Sequence, residues 1–197
     1  MQAVIDEPRR RRSHNRIQPL LDAAAKLFAG KGYRETTMRD IGAEAGMQAG
    51  SVYYHFKSKD ELLLAVYAMA VDGIESRLLA ALEGIEDPWH RLEVAVVTHL
   101  ETILDRNDYS SVMIGVTPDK AEDIKPSLVA LRDRYESHFE RLIQELPLAR
   151  RTDRRLLRLM LMGALNASHS WYHDGEKSAA VIGRTFVKYL REPVSRD

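Results

Sequence analysis

Residues 37–61 read TMRDIGAEAGMQAGSVYYHFKSKDE, a run dense in side chains that can hydrogen-bond an extended polyanion. Gln48, Ala49, Gly50 and Ser51 are all small or polar, so no bulky group keeps an approaching surface away. A helix that opens this way suits entry into the major groove of DNA by its N-terminal end. Gln48, Ser51 and Tyr53 carry groups that can read base edges, and Ala49 can meet a thymine methyl. Thr37, Tyr54, His55, Lys57 and Lys59 supply the hydroxyl, imidazole and ammonium donors that phosphate oxygens accept from.

Other chemistries find less support. His169 and His173 stand four apart with Asp174 adjacent, which is metal-ligand spacing. No HExxH pattern exists and no third ligand can be assigned, so a histidine pair at a helix end is the favoured reading and no metal or cofactor is expected. There is no GxSxG elbow, and Glu101 with Asp105 reads as a solvated face. Lys31 and Gly32 lack the spacing of a phosphate-cradling loop. An enzyme is not expected. His99, Tyr135, His138 and Asn166 are polar groups on otherwise apolar stripes, and Trp89, Met113, Phe139, Met160 and Met162 are apolar neighbours by pattern. Together they are candidate linings of a small-molecule pocket, each also readable as ordinary core.

The elements that must position these residues are helices. Thr37 and Asp40 match a capping box, Met38, Ile41 and Ala45 form a stripe, and Gly46 supplies the left-handed residue that ends that helix. A second helix spans roughly 48–56, with Val52 and Phe56 turned to the core. Ser58 and Glu61 form another capping box opening a long helix to about residue 83, stiff enough to serve two regions. Ahead of them, Asn15 and Gln18 can cap a helix over 16–30 whose stripe is Ile17, Leu20, Leu21, Ala24, Leu27 and Phe28, with Pro19 near its first turn. Residues 1–8 show no periodicity, and Arg9, Arg10, Arg11 and Arg12 read either as a solvated charge run or as an arm that grips phosphate. Asp87 and Pro88 open a further helix. Others follow over 109–116, 125–146, 152–173 and 178–190. The helix over 152–173 is apolar on most sides, so it must be buried on two faces. The count is about nine helices and no strand, an all-α chain.

The 197 residues suffice for a small and a larger domain, with 45% hydrophobic and 29% charged residues. Zero cysteines exclude disulfides and thiolate chemistry and fit a reducing cytoplasm. No apolar run reaches membrane-span length, so no membrane partner is expected. Net charge is zero, but residues 1–61 hold 11 basic and 8 acidic residues, for +3, leaving 18 and 21, for −3, in the rest. A basic front and acidic rear is the asymmetry expected if only the front meets DNA.

The runs AAAKLFAGKGYRETTMRDIGAEAG and GSVYYHFKSKDELL resemble the DNA-binding domain of the TetR family of one-component transcriptional repressors. The resemblance covers about forty residues, 23–63, and rests on Thr37, Ile41, Ala45, Gly46, Gly50, Tyr53, Tyr54, His55, Phe56, Lys59 and Leu62. It implies a three-helix helix-turn-helix domain over 1–61 and a larger helical ligand-binding and dimerisation domain over 62–197. The implied function is a homodimeric repressor on a near-palindromic double-stranded DNA operator, released by a small-molecule effector. The last two helices stand where that family builds a four-helix dimer interface. Met47 and Ala49 occupy positions often polar or basic in similar proteins, so base readout leans on few direct hydrogen bonds. The segment Trp171, Tyr172, His173, Asp174, Gly175 is similar to one in fatty-acid and sterol catabolism regulators of the family, which implies a lipophilic or acyl-CoA-like effector. A constitutive or architectural DNA-binding dimer is the alternative.

Overall fold

The computed structural model describes residues 7–115, 122–173, 175 and 177–192, with the side chains of residues 7–16, 49 and 122 outside the description. Among the described residues there are nine α-helices and no strand. They are α1 (Glu7–Gly30), α2 (Met38–Glu44), α3 (Ala49–His55), α4 (Lys59–Leu82), α5 (Pro88–Leu104), α6 (Asp108–Gly115), α7 (Lys125–Glu145), α8 (Arg154–Trp171) and α9 (Ala179–Arg191). A single 3₁₀ turn, Glu122–Ile124, leads into α7.

The chain forms two compact units. The first takes the chain up to Ala70 together with Asn107–Leu128; the second takes Val71–Arg106 and the chain from Val129 onward. The helix α4 contributes to both.

In the first unit the amphipathic stripes meet as the apolar spacing requires. Leu20, Ala24, Ile41, Val52, Leu62, Leu63 and Val66 are fully buried. α1 lies against α2 and α6, and α2 against α3. The start of α1 corrects the sequence expectation. The helix begins at Glu7, so it runs through Arg9, Arg10, Arg11 and Arg12, whose side chains lie outside the described residues, and Pro19 stands in its interior. Arginine is a good helix former, and no glycine interrupts this run, so the stripe that nucleates α1 propagates backward. Asn15 is inside the helix rather than capping it. Gln18 is a side-chain bridge instead. Its Nε2 donates to Asp22 Oδ1 at 2.9 Å and to the Tyr109 hydroxyl at 3.2 Å, while Tyr109 donates to Asp22 Oδ1 at 2.7 Å. That bridge joins α6 to α1.

The second unit is centred on α5. Asp87 accepts from His90 N at 2.7 Å and Pro88 occupies the first turn, so the expected start is observed. Leu92, Ala95, Val96, His99, Leu100 and Ile103 are all buried. α5 packs against α9 and α8. The contact with α9 is close because Gly183 has no side chain. A Cβ there would stand 3.0 Å from Val97 Cγ2 and 3.2 Å from Val97 Cα. Gly183→Val is therefore expected to destabilise the protein by roughly 2 kcal/mol through overpacking. Chemical denaturation measures it, and an unchanged midpoint would show that the helices separate freely.

The helix α8 departs from expectation in an informative way. It buries one face within this chain, through Leu161, Met162, Leu165 and Ser168. Its other face leaves Leu156 60% and Met160 58% exposed, with Leu159 and Trp171 beside them. The second face that the apolar pattern demands is open.

Candidate functional site

The surface around α3 is assembled by caps and turns. Thr37 Oγ1 accepts from Asp40 N, and Asp40 Oδ2 accepts from Thr37 N, both at 3.1 Å, so the expected capping box closes. Lys31 Nζ lies 2.7 Å from Asp40 Oδ2, and this bond, with those from Thr37, holds the Asp40 carboxyl down at about 2. Gly46 then adopts φ +66°, a left-handed conformation open to glycine, and Met47 N donates back to Gly42 O at 2.7 Å. This turn sets α3 against α2.

Val52 is fully buried and Phe56 nearly so, which fixes the opposite face of α3 outward. Gln48 is the N-cap by backbone, but its side chain makes no capping bond and stands exposed. Gly50 and Ser51 are exposed with it. The Ala49 side chain lies outside the described residues. Among the described residues, apart from its immediate chain neighbours and own helix backbone, nothing comes within 4 Å of a Cβ built at Gly50, and its φ is not positive. No internal contact or backbone strain calls for glycine there, although glycine weakens a helix by about 1 kcal/mol. Tyr54 is 85% exposed and meets the His55 ring edge to face at 5.2 Å; Tyr53 is exposed as well. Thr37 and Lys57 are also at the surface.

Lys59 is placed differently. Its Nζ donates to Tyr33 O at 2.8 Å, Thr36 O at 2.9 Å and Arg34 O at 3.3 Å, and lies 4.4 Å over the Tyr33 ring. An ammonium has three donors, and all three are engaged. Asp60 accepts from the Tyr33 hydroxyl, so two consecutive residues of α4 tie down the loop between α1 and α2. Burial, then the Asp60 bond, pushes the Tyr33 hydroxyl well above its ordinary range. Lys59 thus holds the loop that leads into Thr37. Sequence reasoning missed Tyr33 and Asp60, which are far apart in sequence and follow no motif. The second capping box is also half formed. Ser58 Oγ accepts from Glu61 N at 3.0 Å, but Glu61 Oε2 accepts from Lys57 N at 2.7 Å. Lys59→Met is expected to lower stability by about 2 kcal/mol by leaving three carbonyls without their donor. Thermal or urea unfolding checks it, and a variant of unchanged stability would put the ammonium in solvent.

The candidate pocket residues are only partly brought together. His99, Tyr135 and Phe139 form one cluster in the second unit. The His99 and Tyr135 rings stack with centroids 5.7 Å apart, and Phe139 stands edge-on to His99 at 5.7 Å. His99 Nδ1 lies 3.0 Å from the Tyr135 hydroxyl. Met162 is buried on α8, whereas Met160 and Asn166 on the same helix are exposed, so Met160, against expectation, does not join the buried cluster. His138 lies 6.4 Å from Tyr135 but turns toward charged partners. Arg141 can only donate to His138 Nδ1, at 2.9 Å, so Nε2 carries the proton toward Glu75. Trp89 stands elsewhere, under the Arg191 guanidinium, in a cleft of about 350 Å³ between the start of α5 and the end of α9. Met113 belongs to α6, in the first unit.

His99 is 2% exposed, and its Nε2 has no hydrogen-bond partner. Burial lowers its basicity to about 4, only partly offset by the Asn166 side chain, which makes no bond of proper geometry with it. The ring is therefore neutral near pH 7. Because the unfolded chain binds a proton on this residue near pH 6.5 and the folded one only near 4, stability falls as pH drops through that window. The expected slope is about 1.4 kcal/mol per pH unit at its steepest, and His99→Phe is expected to flatten it. Urea unfolding at stepped pH reads it out, and parallel curves for both proteins would contradict it.

His169 Nδ1 lies 2.6 Å from Asn166 O, one turn back on α8, and His173 is exposed. Asp174 lies outside the described residues. Among the described residues no group of three or more metal-ligating side chains exists, and no helix is long and apolar enough to cross a membrane.

Comparison with known proteins places this arrangement. Residues 20–66 match the profile of bacterial regulatory proteins of the tetR family, and residues 86–194 match that of a tetracyclin repressor-like C-terminal domain. The chain is 29% identical to the HTH-type transcriptional repressor KstR2 of Mycobacterium tuberculosis over 123 residues, 61% of this chain and 60% of that protein. The alignment thus spans under two thirds of that relative's length. Among solved structures, the TetR family regulator PfmR from Thermus thermophilus superposes with a TM-score of 0.71 at 25% identity, covering 90% of this chain and 99% of that one. AibR in complex with isovaleryl coenzyme A and operator DNA shares the fold, with a TM-score of 0.73 at 22% identity over 87% and 96% of the two chains. With both profiles matched, the second across more than half of its length, and with the helix-turn-helix geometry in place, the chain belongs to the TetR family of bacterial regulatory proteins.

Proposed function

We propose that this protein is a ligand-responsive transcriptional repressor that acts as a homodimer on a near-palindromic operator in the cytoplasm. Residues 1–61 meet the DNA, and residues 62–197 hold the effector and the dimer surface. The observation that carries this reading is the bare, exposed opening of α3, where among the described residues no group from outside its own helix crowds Gly50 and the Gln48 side chain makes no capping bond. Gln48, Ser51 and Tyr53 read base edges, and Thr37, Tyr54, His55 and Lys57 anchor phosphates. Lys59 supports these contacts from behind by fixing the loop before α2.

The open face of α8 supports the dimer. Leu156, Leu159 and Met160 share it with Gly163 and Ala167, and among the described residues nothing from outside this stretch of helix lies within 4 Å of a Cβ at Gly163. On α9, Val181 and Tyr189, the latter by 58%, are exposed as well. An apolar helix face of this kind is covered by a partner in stable proteins, and a second copy covers it symmetrically. Two copies then present two α3 helices to successive major grooves.

The effector is lipophilic or acyl-CoA-like and occupies the second unit beside His99, Tyr135, Phe139 and Met162. AibR shows that this fold can carry a coenzyme A thioester and operator DNA. Operator affinity falls by the effector's differential affinity for the competent and incompetent arrangements of the dimer. Selection of duplexes from a random pool is expected to return an inverted repeat, bound in a salt-dependent manner, with scrambled duplex unbound at moderate salt. Recovery of no common sequence would remove the proposal. Silence of operator binding and melting temperature toward a panel of lipophilic thioesters would leave a constitutive DNA-binding dimer in its place.

A further inference from the structure

Two buried polar atoms of the described residues have no partner: His99 Nε2 and Ser168 Oγ. A helical serine hydroxyl can turn back to a carbonyl of its own helix with little rearrangement, so Ser168 implies no ligand. A buried imidazole cannot relieve itself in that way.

The tautomer of His99 follows from its one bond. Tyr135 Oη lies 3.0 Å from Nδ1. If Nδ1–H donates to the hydroxyl, the hydroxyl proton and the Nε2 lone pair both stay unmet. If the hydroxyl donates to Nδ1, only the Nε2–H stays unmet. Each unmet buried polar group costs about 1–3 kcal/mol, so the second arrangement is preferred. Nε2 is then a buried N–H donor that closes no bond, with the Phe139 ring perpendicular to the imidazole at 5.7 Å and the Asn166 side chain near enough to act on it without a bond of proper geometry.

We infer that the Nε2–H of His99 receives an uncharged carbonyl oxygen of the effector, so that the recognised class is a thioester or ketone and not a free carboxylate. The inference rests on the reading that the effector occupies this unit. A neutral imidazole offers a single hydrogen bond and no counter-charge. Burying a carboxylate against it costs far more than burying a carbonyl. Glu75, whose charge is felt at the Tyr135 hydroxyl, accepts from His138, and its negative charge also disfavours an anion here. The Tyr135 hydroxyl, held far above its ordinary range by burial and then by Glu75, stays protonated and keeps Nδ1 supplied.

The test uses S-methyl thiodecanoate, decanoate and decane on the full-length protein and on His99→Phe, with Kd read by calorimetry and by operator release. The wild type is expected to prefer the thioester over decanoate. Its preference for thioester over decane is expected to fall about tenfold in His99→Phe, while decane binding persists. Decanoate bound as tightly as the thioester, or an undiminished preference in the variant, overturns this inference and leaves the pocket standing. Failure of all three to bind overturns the pocket reading and this inference with it. Independently of the variant's folding, ¹⁵N-resolved spectra of the wild-type imidazole are expected to show the proton on Nε2, shifting when the thioester binds. A proton found on Nδ1 overturns the assignment.

Discussion

Gly163→Arg is expected to turn the proposed dimer into a monomer and to lower operator affinity by at least about 100-fold. A residue in the middle of α8 needs no glycine for its own fold, since among the described residues no atom from outside its own stretch of helix lies within 4 Å of a Cβ built there and its φ is ordinary. Replacing glycine in a helix gains up to about 1 kcal/mol of intrinsic stability, so the monomer should stay folded. The damage falls on the proposed interface. Gly163 lies on the same exposed face as Leu156, Met160 and Ala167, and if two copies of α8 meet there as proposed, a guanidinium separates the helices and buries a charge. Each half-site is then bound by one head alone. Linked binding of two modules ordinarily raises avidity by about 10² to 10⁴, and that factor is lost. Light scattering and fluorescence anisotropy on the same sample check both parts; a dimer that persists would place the interface elsewhere.

Gly50→Glu is expected to leave the fold intact or stabilised while operator binding drops to its non-specific level. Position 50 is in the first turn of α3, where glutamate is a better helix former than glycine and its charge favours the positive end of the helix. Circular dichroism melts should show no loss. Under the proposed function, the same side chain fills the surface that α3 presents to the bases and sets a carboxylate among phosphates. Specific binding commonly exceeds non-specific binding by about 10³ or more, and that margin is the expected loss. Opposite signs for stability and affinity distinguish a contact surface from a structural position. A variant that keeps operator affinity would mean that α3 does not enter the groove.

The fold could be read from sequence wherever one stretch of chain carries its own instruction. Thr37 with Asp40, Gly46, Asp87 with Pro88, and Ser178, whose Oγ accepts from Val181 N, each marked a boundary that the structure bears out. Such signals are local: a cap needs only the few residues it bonds. The start of α1 was misplaced because a polar cap looks the same whether used or passed over, and Gln18 is spent instead on Asp22 and Tyr109. Lys59 shows a second limit. Its charge and position fit a phosphate contact equally well, and only the approach of three carbonyls from residues 33, 34 and 36 reveals its other use. Arg154, which donates to Ile143 O and Leu146 O and so closes the end of α7, is the same case. The pocket candidates were least legible. A polar residue on an apolar stripe does not say where it points, and His138, expected beside His99, is engaged by Glu75 and Arg141.

Half-site spacing gives the most direct test of paired α3 helices on one face of the duplex. From the selected inverted repeat, duplexes are made with the two halves moved apart by about half a helical turn and by about one full turn. The dimer is predicted to lose nearly all specific affinity at half a turn, because one α3 then faces the wrong side of the DNA. Equal affinity for the native and the half-turn duplex would contradict the account.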